Sequence, residues 1–96
     1  MEPMPITVAL PSALRPYAGG SPEVTLDGGC GTVGEALGVL AGRYAGVVDR
    51  VMDERGQVRQ HVNVFVDGDN IRFLDGLMTP VGARSTITIV PAVSGG

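Results

Sequence analysis

The residues with the clearest capacity for chemistry stand at the end of the sequence. Gly95 and Gly96 close the chain, after Val93 and Ser94. An α-carboxylate has a pKa of about 3.3–3.7, so at neutral pH it is ionised and a poor electrophile. It must be activated before it can accept sulfur, and we expect an acyl-adenylate as the activated form. Glycine has no Cβ, so no side chain next to the carbonyl would block attack by a nucleophile.

The residues before these glycines predict an extended segment that a partner enzyme can receive. We expect Pro91 to stop the last strand after Val90, because proline lacks the backbone N–H that further strand pairing needs. Residues 91–96 are then a flexible C-terminal tail on a folded domain of residues 1–90. Gly96 would be the covalent site of adenylate and thiocarboxylate. The residues expected to thread into partner active sites are Val93, Ser94 and Gly95.

The chain has one cysteine and one histidine, and neither belongs to a catalytic or metal-binding pattern. Cys30 precedes an expected helix, a position that can lower a thiol pKa, but no motif pairs it with His61. A lone cysteine excludes an internal disulfide and the Cys-rich zinc sites. We interpret Cys30 as structural or incidental, and His61 as a residue with a packing or solvent-edge role.

Two short loops bear a faint likeness to ligand-binding motifs. Residues 28–31 have the glycine content of a phosphate loop, but the chain contains no lysine. Residues 67–70 have two of the acidic residues of a calcium loop without its closing glutamate. We predict turns at both places. Without a nucleophile–base pair, a metal cluster or carboxylates at a defined spacing, the sequence predicts a protein that is not itself an enzyme.

Composition narrows the class of protein further. The 96 residues are 44% hydrophobic and 18% charged, as expected for one small globular domain. The net charge of −3 argues against nucleic-acid binding. No apolar run approaches the ~18 residues of a membrane helix, and the N-terminal residues do not resemble a secretory signal. We therefore expect a cytoplasmic protein with neither nucleic acid nor membrane among its partners.

Hydrophobic periodicity predicts the elements that position the tail. Alternation with a period of two predicts strands, and Ile71–Phe73 resumes an extended pattern after the polar residues 67–70. The predicted strands are Ile6–Leu10, Val24–Leu26, His61–Val66 and Thr86–Val90.

One main helix is predicted to begin after Thr32, which has the capping-box spacing to Glu35. We expect this helix to stop near Gly46, with one more turn over residues 47–52. Glycines 34, 38 and 42 lower its helix propensity, which close packing against a sheet would offset. The apolar face consists of Val33, Ala36, Leu37, Leu40 and Tyr44.

This order of elements predicts an α+β protein with the β-grasp, or ubiquitin-like, fold. A mixed sheet of four to five strands would carry the helix on one face, with the first and last strands parallel and adjacent in the middle. Phe65 would then lie on the open face with Val90. An exposed apolar patch there predicts a docking surface for partner enzymes, with packing under a loop as the alternative for Phe65.

Two segments resemble the family of small ubiquitin-like sulfur carriers of the MoaD, ThiS and CysO types. They are Arg72-Phe73-Leu74-Asp75-Gly76-Leu77-Met78-Thr79-Pro80 and Ile87-Thr88-Ile89-Val90-Pro91-Ala92-Val93-Ser94-Gly95-Gly96. Leu14-Arg15-Pro16 and Gly19-Gly20 look most like the actinobacterial cysteine-synthesis type. The chain departs from the family at Gly82-Ala83-Arg84, where relatives have an acidic-glycine turn, and at Ser94, where alanine is more common.

The resemblance implies a cycle of reactions on Gly96. An adenylating, ubiquitin-activating-like enzyme would use ATP and Mg²⁺ to activate the carboxylate, and the carrier would bind no cofactor of its own. A sulfur donor, such as a rhodanese-like protein or sulfide, would leave a thiocarboxylate. A sulfur-using synthase would then make cysteine or another sulfur-containing metabolite, and in some relatives a zinc metalloprotease trims the adduct.

Two other functions stay open at this point. The chain has the features of a ubiquitin-like binding module whose Gly-Gly end is inert. It also has those of a protein modifier that is joined to lysines of its targets. The absence of lysine prevents self-linked chains but says nothing about targets.

Overall fold

A five-stranded mixed sheet with two helices on one face forms the protein. The computed structural model describes residues 5–27 and 31–91. The helices are α1 (Val33–Arg43) and α2 (Ala45–Val51), and 3-10 turns span Arg15–Ala18, Ile71–Phe73 and Gly76–Met78. The strands are β1 (Ile6–Ala9), β2 (Glu23–Leu26), β3 (Val62–Val66), β4 (Asp69–Asn70) and β5 (Thr86–Pro91).

The order of the strands confirms the predicted β-grasp topology. The sheet runs β2-β1-β5-β3-β4, and β1 and β5 lie side by side and parallel in its middle. The other strand pairs are antiparallel. Two helices, not one, cover the sheet, and neither helix in the described ranges is long and apolar enough to span a bilayer.

The core lies between the helices and one face of the sheet. Alternate residues of the strands point into it, as period-two patterning requires. On β3 the three valines are buried, and on β5 Ile87 and Ile89 are buried. From α1 the predicted apolar residues Val33, Ala36, Leu37 and Leu40 complete this core, while Tyr44 is half-buried at the end of the helix.

Helix α1 begins where the capping-box spacing predicts. The Thr32 hydroxyl accepts a hydrogen bond from the Glu35 backbone N–H at 3.2 Å, which satisfies one orphan donor of the first turn. The Glu35 carboxylate accepts from the Thr32 hydroxyl at 3.4 Å instead of reaching back to the backbone N–H of the cap. The helix start is therefore confirmed, with half of the reciprocal capping arrangement.

The predicted stop at Gly46 is wrong. Helix α1 ends at Arg43, Tyr44 adopts a non-helical backbone conformation, and Gly46 lies inside α2. A Cβ at Gly46 would lie 3.2 Å from Cδ1 of Tyr17. The glycine therefore lets the 3-10 turn of residues 15–18 pack against α2 and does not terminate a helix.

The hairpin after β3 is tighter than the sequence pattern indicates. Asp67 and Gly68 have φ values of 50° and 95°, as a two-residue type I′ turn requires, and Asp69–Asn70 already pairs back with β3. The expected extended segment Ile71–Phe73 is instead a 3-10 turn, which begins where the Asn70 side chain accepts from the Arg72 N–H. The Asp-Gly pair thus determines a two-residue turn, although the four polar residues 67–70 suggested a longer loop.

Arginine side chains occupy backbone acceptors along both edges of the sheet. Arg43 donates to the carbonyl oxygen of Thr25 on edge strand β2 at 2.7 Å. On the opposite side, beyond the short β4, Arg72 donates to the carbonyl oxygens of Gln60 at 2.8 Å and Val62 at 3.1 Å. Such capping reduces the number of free acceptors that an added strand from another chain would pair with.

Candidate functional site

Strand β5, after which the predicted C-terminal tail begins, lies in the middle of the sheet. Strand β5 pairs with β1 on one side and β3 on the other, and Pro91 pairs with Val62. The strand therefore includes Pro91, one residue beyond the expected end at Val90. The predicted tail residues Val93, Ser94, Gly95 and Gly96 lie outside the described residues, as does Ala92.

Phe65 and Val90 occupy the sheet face that the helices leave uncovered. In the register of β3 with β5, Phe65 lies opposite Thr88, and Val90 lies opposite Asn63. Phe65 is half-buried and Val90 is 39% exposed. The two apolar residues are thus diagonal neighbours on one face, within reach of each other's side chains. We call this pair the open-face patch.

Polar but uncharged residues of β4 and β5, the two strands next to β3, surround the open-face patch. Asn70, which pairs with Phe65, donates through its side-chain amide to the Asn63 side chain at 3.2 Å. Thr86 and Thr88 present hydroxyl-bearing side chains to the same face from β5. An apolar pair in such a setting can be covered by a partner without burying a charge.

A second feature, which the sequence did not predict, is a cleft beside the base of the tail. It has a volume of about 270 Å³. Tyr17 from the first 3-10 turn and Arg50 from α2 line one part of it, and Pro91 lies at its edge. We call it the tail-base cleft. The other lining residues used below are Leu14, His61, Val62 and Ile89.

The segment carrying the Arg72–Pro80 resemblance presents unusually exposed apolar side chains. Phe73 is 86% exposed and Met78 is 72% exposed. Arg72 holds this segment against Gln60 and against Val62, the first residue of β3, through the carbonyl contacts described above. Leu77, with Gly76 and Ile71, lines a further cavity of about 380 Å³ beneath it. Arg72 therefore has a clear structural role in the motif, which the sequence alone did not reveal.

The other residues that the sequence singled out gather into no second site. Cys30 and Gly28–Gly29 lie outside the described residues. His61 directly precedes β3 and lines the tail-base cleft. Residues 67–70 form the predicted turn together with β4. Across residues 5–27 and 31–91, no cluster of three or more potential metal ligands occurs.

In the described part of the chain, the Asp53 carboxyl has a pKa below its ordinary value. The backbone N–H groups of Gln57 and Arg55 donate to the Asp53 carboxylate, at 3.0 Å and 2.8 Å. The Gln57 hydrogen bond is the largest cause that lowers the pKa of Asp53 below its ordinary value, and Arg55 and Arg59 add favourable charge. This carboxylate stabilises the 53–57 turn and takes no part in the candidate site.

Comparison with known proteins assigns the fold to a family. The family model described as "ThiS family" matches residues 8–96. The chain belongs to the ThiS family. The model covers β2, β5 and both helices of this ThiS-family chain, together with the sequence that follows Pro91.

Several relatives of this ThiS-family chain have known names. Sulfur carrier protein CysO of Mycobacterium tuberculosis is 37% identical over 95 residues, which are 97% of this chain and 100% of the relative. Its crystal structure superposes with a TM-score of 0.85 at 34% identity, covering 92% of this chain and 99% of CysO. The family and the β-grasp fold anticipated from the sequence are thereby confirmed.

Two further relatives illustrate the range of the family. The crystal structure of the Amycolatopsis orientalis BexX/CysO complex contains a chain that superposes on this protein with a TM-score of 0.84. The two sequences are 35% identical, and the match covers 95% of this chain and 99% of that chain. Small archaeal modifier protein 3 of Haloferax volcanii is 35% identical over 65 residues, which are 68% of this chain and 70% of the modifier. Both named carriers and named modifiers are therefore among its relatives.

Proposed function

We propose that the protein is a sulfur carrier that is not itself an enzyme and whose Gly96 carboxylate becomes a thiocarboxylate. The observation that supports this most strongly is full-length similarity to CysO, together with the Gly95-Gly96 end of this chain. The fold suits the task, because β3 pairs with β5 as far as Pro91 and so holds the residue after which the tail begins.

The chemistry takes two steps in an activating enzyme that supplies ATP and Mg²⁺. A Gly96 carboxylate oxygen attacks the α-phosphorus of ATP, an acyl-adenylate forms, and pyrophosphate leaves. Hydrosulfide then attacks the Gly96 carbonyl, the C–O bond to AMP breaks, and a thiocarboxylate and AMP result. Where the donor is a persulfide, such as that of a rhodanese-like protein, a thiol must afterwards reduce the acyl disulfide.

The thiocarboxylate sulfur is a nucleophile that a second enzyme uses. Cysteine or another sulfur-containing metabolite is the product class we propose, with a metalloprotease to trim any adduct that stays on the tail. The solved complex of BexX with CysO supports the existence of a partner that holds a carrier of this fold. The same carrier end suits several acceptors, so its partners set the pathway.

We assign partner docking to the open-face patch. Phe65 and Val90 are apolar, share one face, and lie on the two strands that lead to and brace the base of the tail. An enzyme that takes in Gly96 must also approach this end of the sheet. The patch then supplies buried apolar area, while the tail supplies the reacting group.

A second function, protein modification, draws support from the similarity to small archaeal modifier protein 3. In that case the activated Gly96 carbonyl would be attacked by a lysine amine of a target, with AMP or an enzyme thiol as leaving group. Activation of the tail is common to both functions, so only the fate of the acyl group separates them.

Intact-mass measurement tests the proposal. The chain is incubated with the adenylating enzyme of its own organism, MgATP and sulfide. The expected product has one oxygen replaced by sulfur, whereas variants ending at Ser94 stay unchanged. As a matched variant, Gly95→Val should slow conversion because its side chain crowds the carbonyl. Linkage of the chain to other proteins would favour the modifier function, and the absence of any change would contradict both.

A further inference from the structure

The tail-base cleft contains a cation that the fold holds in a defined orientation. The guanidinium carbon of Arg50 lies 3.7 Å from the centroid of the Tyr17 ring, and Arg50 Nη1 donates to the Gly46 carbonyl oxygen at 3.2 Å. A guanidinium has five N–H donors, and within residues 5–27 and 31–91 the hydrogen bond to Gly46 uses one of them. Stacking on an aromatic ring also reduces the conformational freedom that an arginine loses on binding an anion.

Gly46 completes this arrangement. A Cβ at this position would meet Tyr17 Cδ1 at 3.2 Å, so only glycine lets the ring lie this close to α2. The Tyr17 ring is therefore enclosed between the backbone of α2 and the Arg50 guanidinium, although it stays 41% exposed. The remaining walls of the cleft are largely aliphatic, from Leu14, Val62 and Ile89.

The position of the cleft restricts which partner can reach it. Pro91 lies at its edge, and five residues remain between Pro91 and the end of the chain. Five residues span at most about 17 Å when fully extended. An enzyme that reacts with Gly96 must therefore come within that distance of Pro91, and its surface must lie close to the cleft.

We infer that the tail-base cleft receives an aspartate or glutamate side chain from the activating enzyme, next to the opening through which that enzyme takes in the tail. The Arg50 guanidinium pairs with this carboxylate, and the aliphatic walls contact its methylene groups. The inference rests on the proposed function, since it uses entry of Gly96 into that enzyme. It adds a second contact, separate from the open-face patch.

The test is a charge reversal with a matched control. Arg50→Glu is compared with Arg84→Glu, which has the same change of net charge but lies in the turn before β5, at the opposite end of that strand from Pro91. Pyrophosphate release by the activating enzyme is measured with the carrier as the varied substrate. We expect Arg50→Glu to raise KM about a hundredfold and Arg50→Ala about tenfold, with kcat nearly unchanged. Arg84→Glu should change KM less than threefold.

Gly46→Ala separates a binding role from a folding role. Alanine raises helix propensity in α2, while its Cβ displaces the exposed Tyr17 ring and with it Arg50. We expect unchanged or higher thermal stability together with a severalfold higher KM. Equal KM values for Arg50→Glu and Arg84→Glu, in variants that fold as the parent does, would overturn the inference.

Direct binding separates failure of this inference from failure of the proposed function. Variants ending at Ser94 cannot be adenylated at Gly96, yet they keep the cleft. Their affinity for the activating enzyme, measured by calorimetry, should fall with Arg50→Glu and not with Arg84→Glu. If the full chain is never converted to thiocarboxylate, the proposed function fails, and this binding comparison still decides the role of the cleft.

Other occupants give different results. If removal of Gly95 and Gly96 from the free protein shifts the NMR signals of Tyr17 and Arg50, the cleft holds the chain's own carboxylate. A dimer in sedimentation that Arg50→Glu dissociates would assign the cleft to a second copy. Either result would overturn the inference.

Discussion

The two faces of the sheet are built from the same strands but differ in burial and in residue type. On β3, Val62, Val64 and Val66 point towards the helices and are buried, whereas Asn63 and Phe65 point the other way and are half-buried. On β5 the same alternation separates Ile87 and Ile89 from the threonines and Val90. On these two strands, the covered face has aliphatic residues only, and the uncovered face combines small polar residues with the open-face patch.

This difference separates residues whose type is explained by their contribution to folding stability from residues that need another explanation. Burial against the helices accounts for every aliphatic residue of the covered face, because each loses its contact with water. It does not account for a phenylalanine on the uncovered face, where threonine, which also favours strands, would serve. A large apolar residue there is explained if a partner covers it.

Truncation on the covered face should have the largest effect on stability. Ile87 is fully buried, so Ile87→Ala leaves a cavity and lowers the free energy of unfolding by about 3 kcal/mol. Thr88→Ala, its neighbour on the open face, should change it by less than about 1 kcal/mol. Chemical denaturation measures both. Similar losses for the two variants would contradict the assignment of the faces.

Truncation on the open face should affect binding more than stability. Phe65 is half-buried, so Phe65→Ala should lower the free energy of unfolding by only about 1 kcal/mol. Its affinity for the activating enzyme should fall about tenfold, because the patch is proposed to lie in the interface. Calorimetric titration checks this, with Val39→Ala, which truncates an exposed apolar residue of α1 away from this face, as the control. An unchanged affinity would mean that Phe65 only packs against its neighbours.

Two glycines of α1 differ in the space around them. A Cβ at Gly38 has no atom within 4 Å, so Gly38→Ala should stabilise the protein by roughly 1 kcal/mol through helix propensity. At Gly34 the added Cβ lies 3.2 Å from the Leu77 carbonyl oxygen, and Gly34→Ala should lose most of that gain. Thermal denaturation compares the two. A destabilised Gly38→Ala would show a close contact at that position.

The smallest expected effect is a loss of folding stability at low pH. It arises in the 53–57 turn, away from both faces of the sheet. Since the pKa of Asp53 is lower in the folded state, its contribution is present above its ordinary pKa of about 3.9 and is lost as pH falls through the lowered folded value. Asp53→Asn keeps an acceptor oxygen without the charge, so its stability should fall less between pH 5 and pH 2. Parallel profiles for the two proteins would refute this role.

The sequence predicted the features that depend on short-range patterns. Alternation located β1, β2, β3 and β5, the Thr32–Glu35 spacing located the start of α1, and the order of elements implied the β-grasp topology. Gly46 and Ile71–Phe73 were misread because their conformations depend on distant contacts. Gly46 is set by Tyr17, which is far away in sequence, and the 3-10 turn is held by the Asn70 cap and by Arg72.

The candidate site was predictable in part for the same reason. The alternation on β3 and β5 is enough to place Phe65 and Val90 on one face, which the structure confirms, while their docking role stays a prediction. The tail-base cleft was not foreseen, because it joins Tyr17, Arg50 and Pro91 from three separate elements. The Gly-Gly end was singled out by the chemistry of its carboxylate and by the resemblance of residues 87–96 to the sulfur carriers.

The most direct test of the account locates the sulfur on the chain. Arg84 is the last basic residue, so trypsin releases residues 85–96 as one C-terminal peptide. After reaction with the activating enzyme, MgATP and sulfide, mass spectrometry of this peptide should show sulfur in place of one oxygen at Gly96. Sulfur found at Cys30, or a peptide unchanged while the enzyme consumes ATP in the presence of the carrier, would contradict the central claim.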